Sequence, residues 1–172
     1  MPDTPDTRFL VDPDSDPVAI RIEGRASFQN CSCVKDFLAR MFGGGKRRFV
    51  MDFDACTGMD STFLGVLAGM ALQLRKAEPS GSLVLARLNE RNRELVSNLG
   101  LDRILIVDDD AAQALAGASN DQLNCAPVTD EVAAARIVLE AHQNLIAADA
   151  ENEAKFRDVM AYLEQQLGDK SG

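Results

Sequence analysis

The stretch Phe49-Val50-Met51-Asp52-Phe53 is followed, across a short connection containing Gly58, by Met59-Asp60-Ser61-Thr62-Phe63-Leu64-Gly65-Val66-Leu67. The first run reads as a strand buried on at least one face, and the second opens a long helix from about Asp60 to Ala77 that Pro79 and Gly81 end. Between Phe63 and Leu74 only Gly65, Gly69 and Gln73 are not apolar. Packing on one face of a sheet requires an apolar stripe of roughly 100°. Phe63, Val66, Leu67, Met70, Ala71 and Leu74 already supply it, and Leu64, Ala68 and Leu72 widen it. The helix is therefore covered on two sides, by C-terminal helices for example, or it carries an apolar partner-binding face beside Ser61.

Working outward, Phe9-Leu10-Val11 reads as a short first strand, and Val18-Ala19-Ile20-Arg21-Ile22 alternates apolar and polar as a second. Val34, Phe37, Leu38 and Met41 have the spacing of an amphipathic helix over Cys33 to Phe42, stopped by Gly43-Gly44-Gly45. Downstream come a strand at Ser82 to Ala86, a helix over Glu90 to Leu99 capped by Asn89 and ended by Gly100, and a last strand at Ile104 to Val107. Asp110 can cap a brief helix to Leu115. This alternation predicts an α/β fold, a mixed β-sheet of about five strands layered with helices. Gly117 to Asn124 is small and polar, as a linker is. Helices follow from Thr129 or Asp130 to about Ala148 and from about Glu151 to Leu167. Val138, Leu145, Phe156, Val159 and Leu163 suggest a narrow packing seam, bent at Asp149 and Asn152. The expected organisation is an acidic disordered N-terminus over 1–7, a folded domain over 8–116, a linker over 117–128 and a C-terminal helical extension over 129–168.

Composition bounds the function. The 172 residues are 46% hydrophobic and 26% charged, enough for a substantial core. Eighteen basic against 27 acidic side chains give a net charge of −9, unsuited to a phosphate backbone or an anionic membrane. Nucleic acid and membrane are therefore not expected as partners. No apolar run approaches the ~18 residues of a membrane span, and the Asp- and Pro-rich start is no signal peptide. The four cysteines, Cys31, Cys33, Cys56 and Cys125, accordingly read as reduced thiols of a cytoplasmic protein.

Candidate chemistry is sparse. Cys31-x-Cys33 lacks the second close pair of a zinc site, and the single histidine, His142, reads as an ordinary helix residue. Gly43-Gly44-Gly45-Lys46 fails as a phosphate loop, because Arg40 stands where the first glycine belongs and Arg47 where Ser or Thr follows the lysine. Asp52, Asp54 and Asp60 lie near one another in sequence without a distinctive acid–base or metal spacing. No catalytic residue, metal ligand or cofactor is expected, and the chain reads as a non-enzyme. At the helix start, Asp60 or Ser61 can simply cap. Alternatively, Ser61 is a hydroxyl at a positive helix end, where the fold tolerates a phosphate that adds close to two negative charges to the surface.

The combination of Phe49-Val50-Met51-Asp52-Phe53, Met59-Asp60-Ser61-Thr62, Leu64-Gly65-Val66-Leu67, Gly81-Ser82-Leu83-Val84-Leu85 and Leu95 to Leu99-Gly100-Leu101-Asp102-Arg103 resembles the STAS domain of anti-sigma factor antagonists, over roughly residues 7 to 116. The resemblance implies an anti-anti-sigma factor, a regulatory module that binds an anti-sigma factor serine kinase and is reset by a Ser/Thr phosphatase. Carried onto this chain, Ser61 is the phosphoacceptor and Thr62 the second choice. The partner face then comprises Gly58, Met59, Asp60, Ser61, Thr62, Phe63 and Leu64. Phe63 replaces the family's usual glycine and would act as an apolar anchor. The extension has no counterpart in the minimal family domain. From Asp130 onward it carries four basic against nine acidic side chains, a net −5. A reading from another class is a STAS scaffold without a phosphoswitch, a homodimer through the C-terminal helices.

Overall fold

The computed structural model describes residues 7–171, with side chains to residue 168. Of the acidic N-terminus only Thr7 falls within the described residues. Strands β1 (Arg8–Asp12), β2 (Val18–Ala26), β3 (Arg48–Asp52), β4 (Cys56–Met59), β5 (Ser82–Ala86), β6 (Ile106–Val107) and β7 (Asp121–Gln122) form a seven-stranded sheet. Its order is β6-β5-β3-β2-β1-β7, with β4 paired to the far end of β2. The β2–β3, β3–β5, β5–β6 and β2–β4 pairs are parallel, whereas β1 is antiparallel to both β2 and β7. The mixed α/β sheet expected from the sequence is thus observed, with two strands more than the five expected. β4 is four residues containing Gly58, and β7 is two exposed polar residues within the predicted linker.

The helices are α1 (Cys31–Gly43), α2 (Ser61–Lys76), α3 (Glu90–Asn98), α4 (Glu131–Ala148) and α5 (Asn152–Ser171), with 3-10 turns at Leu101–Arg103 and Asp109–Leu115. Strand alternation assigns the two sheet faces. Val18, Ile20, Ile22, Phe49, Met51, Leu83 and Leu85 point into the main core with Phe37 and Leu38 of α1 and Phe63, Leu67 and Leu74 of α2. The intervening Ala19, Val50 and Ala86 face the other way, where Leu115 of the second 3-10 turn covers them.

The C-terminal helices complete the first face. α4 lies on α2, and the contact is close because Gly65 has no side chain: a Cβ there would overlap the backbone of Ala141. The same would happen between Gly69 and the Asn144 amide. Of the two readings of the over-apolar α2, burial on both sides is the one the structure adopts. The turn into α5 is pinned by Asn152, wholly buried, whose Nδ2 donates to the carbonyls of Leu99 (3.0 Å) and Leu145 (2.8 Å). Lys155 Nζ donates to the Asn98 carbonyl, so the start of α5 caps the end of α3. Of the predicted seam, Leu145 and Leu163 are buried and Phe156 partly so, whereas Val159 is exposed.

The reading of four reduced thiols is corrected. Cys33 at the start of α1 and Cys125 before α4 form a disulfide, while Cys31 and Cys56 are free and buried. Sequence spacing does not signal the pair, since its members stand 92 residues apart and meet only when the chain following β7 crosses back over the helical face.

Beyond the ends of β3 and β5, Arg87 adopts a left-handed backbone (φ 58°), uncommon for a residue with a side chain. Its N–H donates to Asp109 Oδ1 (2.9 Å), and its guanidinium donates to both carboxylate oxygens of Asp52, at 3.0 and 2.5 Å. Burial of Asp52 raises its carboxyl, but the Arg87 hydrogen bonds, the Asp54 N–H and the charges of Arg87 and Arg21 outweigh this and hold it below the usual carboxylate range. A depressed carboxyl contributes stability above its unfolded value of about 4 and loses it as pH falls through the folded value. Asp52→Asn should therefore cost ~2 kcal/mol near neutral pH. Urea unfolding should show the variant's deficit shrinking as the pH is lowered below about 4.

Candidate functional site

The site predicted from the sequence is the junction of β4 and α2. Asp60 is the N-cap of α2: its Oδ1 accepts from the Phe63 N–H and its Oδ2 from the Phe28 N–H, both at 2.9 Å. One carboxylate thereby satisfies a free donor of the helix and ties it to the loop after β2. Because Asp60 caps, the hydroxyl of Ser61 is released from that duty. Ser61 is the first helical residue and is partly exposed.

Its partner is the histidine that sequence reading set aside. Ser61 Oγ lies 3.0 Å from His142 Nε2, and His142 Nδ1 lies 2.7 Å from the Val138 carbonyl. A carbonyl only accepts, so Nδ1 carries a proton, and in the neutral ring Nε2 accepts from the serine hydroxyl. His142 is buried, with the Phe156 ring edge-on at 4.7 Å. The two residues are 81 positions apart, and no local pattern joins them. The available signal was the Gly65/Gly69 pair at helical spacing, which marks a close helix approach.

The remaining predicted residues divide by burial. Gly58, Met59, Thr62, Phe63 and Leu64 are buried, which leaves Asp60 and Ser61 at the surface. Phe63 is fully buried and stacked on Phe9, ring centroids 6.2 Å apart, so it is a core residue rather than a projecting anchor. Phe28, which sequence reading missed, is 53% exposed and adjoins Asp60 through its backbone. The carboxylates Asp52, Asp54 and Asp60 do not converge: Asp52 and Asp54 face Arg87, and Asp60 caps α2. Among the described residues no three His, Cys, Asp or Glu side chains gather where a metal could sit, and no helix is long and apolar enough to cross a membrane.

A mixed sheet with its helices on one face, and a capped serine opening the central helix, define a STAS domain. The family model described as Mlab, STAS domain matches residues 9–108, more than half of the chain, and the chain belongs to that family. Two solved structures share the fold. A candidate anti-sigma factor antagonist from Thermotoga maritima (tm1081) aligns with TM-score 0.53 and 18% identity, covering 64% of this chain and 93% of its own. The anti-sigma factor antagonist SpoIIAA in its unphosphorylated form aligns with TM-score 0.51 and 17% identity, covering 63% of this chain and 98% of its own. No match is found among curated proteins.

Proposed function

We propose that this chain is an anti-anti-sigma factor, a cytoplasmic regulatory module rather than an enzyme, which binds an anti-sigma factor serine kinase and is switched by phosphorylation at Ser61. The observation that carries this reading is the position of Ser61. It is a partly exposed hydroxyl on the first residue of α2, spared from capping by Asp60, in a STAS domain. A phosphate there meets the positive end of a helix, which favours its charge, while a docked partner meets new charge and bulk. Thr62 is the poorer acceptor because it is buried. Asp60 and Ser61, with the adjoining Phe28, form the partner face, and a Ser/Thr phosphatase resets the switch. A homodimer through α5 is the second reading, favoured by the exposed Val159 and Tyr162 on that helix.

The test is incubation with the cognate kinase and ATP, followed by mass mapping and binding measurements. Phosphate is expected on Ser61, and Ser61→Asp should weaken kinase binding at least ~10-fold while Ser61→Ala does not weaken it. Phosphate found only elsewhere, or equal binding by all three proteins, would return Ser61 to a structural role.

A further inference from the structure

Ser61 is reachable only in part, because α4 and α5 stand over it. Its hydroxyl is bonded to His142 of α4, which Phe156 of α5 covers in turn. One turn further along α2, Gly65 touches the Ala141 backbone, and its carbonyl accepts from Asn144 Nδ2 at 3.2 Å. A phosphoryl group on Ser61 Oγ would need the space that the His142 ring fills.

Several features mark the covering hairpin as a separable unit. Beside the apolar packing of Ala141 and Leu145, its attachment includes polar contacts: Ser61–His142, Asn144 to Gly65, Asn152 to Leu99, Lys155 to Asn98, and the exposed Lys35–Glu140 ion pair at 2.9 Å. Such groups are readily repaid by water on opening. Beside that ion pair lies a groove of about 210 Å³ between α1, α2 and α4, open to solvent and lined by Lys35, Glu140, Asn144, Val66, Met70 and Ile137. The two structures of the same fold are covered almost whole, 93% and 98%, by less than two thirds of this chain. A STAS fold is therefore complete in fewer residues than this chain has.

We propose that the α4–α5 hairpin is a cover held in cis over Ser61: docked, it occupies the hydroxyl and the adjoining face of α2, and it swings away before a kinase or partner engages them. The physiological meaning rests on the reading of Ser61 as the regulated residue, whereas the cover itself is a property of the chain alone. A docked cover lowers the apparent affinity of any competitor in proportion to the open fraction.

The test requires neither kinase nor partner. In the full-length chain bearing Ser61→Cys, the introduced thiol is alkylated with iodoacetamide without reductant, at urea concentrations well below global unfolding. Cys31 and Cys56 serve as internal reporters of core opening. Both are buried, and burial pushes the Cys31 thiol up to about 11 and raises that of Cys56. Each rate is divided by that of the same thiol in the urea-unfolded chain. The introduced thiol should be protected at least ~10-fold, yet react at least ~10-fold faster than Cys56. Leu145→Asp, which places a charge in the wholly buried foot of α4, should remove most of that protection and leave Cys56 protected. Labelling at the unfolded rate would show that nothing covers Ser61. Labelling in step with Cys56 would show that the hairpin opens only when the domain unfolds. Either result overturns the proposal, and the comparison in the Leu145 background adds to it only where Cys56 stays protected. Failure of the kinase to modify Ser61 would overturn the phosphoswitch and leave the cover standing.

Discussion

Phe63→Ala is expected to cost the fold about 3–5 kcal/mol, among the largest effects of any single truncation here. The ring has no exposed surface, stacks on Phe9 and packs α2 against the sheet. Its removal would forfeit both transfer energy and the contacts around the resulting cavity. Urea unfolding measures the cost directly. Binding to a partner, corrected for the folded fraction, should then be unchanged. Retained stability with lost binding would instead mean that Phe63 leaves the core to act as the anchor its place in the motif suggested. Ser61→Ala is the companion control. It deletes one partly exposed hydroxyl, and its cost of about 1 kcal/mol would report the bond to His142.

Opening the Cys33–Cys125 disulfide should rank beside it. The bond spans 92 positions, and closing a loop of that length removes denatured-state entropy worth about 4–5 kcal/mol in the chain-entropy treatment. The double variant Cys33→Ser/Cys125→Ser should lower the urea midpoint accordingly, and the wild-type chain held in a dithiol should unfold at nearly the same urea concentration as the variant. A midpoint unaffected by either change would mean that the pair contributes nothing in solution. Because Cys125 lies six positions before α4 begins, the bond also shortens the tether of the hairpin. A shorter tether keeps the cover at higher local concentration over α2. In the cytoplasmic setting proposed for this protein, a reducing thiol pool acts against that bond.

Most of the fold was legible because its elements carry strong local periodicity. Strands β2, β3 and β5 alternate between a deep core and a thin small-residue face, and α1 and α2 repeat apolar residues at helical spacing. The capping residues were equally plain: Asp60, Asn89 and Asp130 each accept from a backbone N–H of the helix they open. What escaped was built by tertiary contact alone. Asp121-Gln122 is polar and exposed, and becomes a strand only because β1 offers it partners. Cys33 and Cys125, and likewise Ser61 and His142, meet across distances in sequence that periodicity cannot bridge. At the site, the serine and its capping aspartate were readable from their place between strand and helix. The covering histidine was not, because a lone histidine on an amphipathic helix has no pattern of its own.

The two rims of the sheet carry a consequence for recognition. β6 and β7 are each two residues long, so neither end of the ladder offers a run of unpaired N–H and C=O groups on which another chain could lay a further strand. β7 in particular spends its pairing capacity closing off β1. Among the described residues, an incoming protein that extends the main ladder through main-chain hydrogen bonds meets only these two-residue strands at its rims.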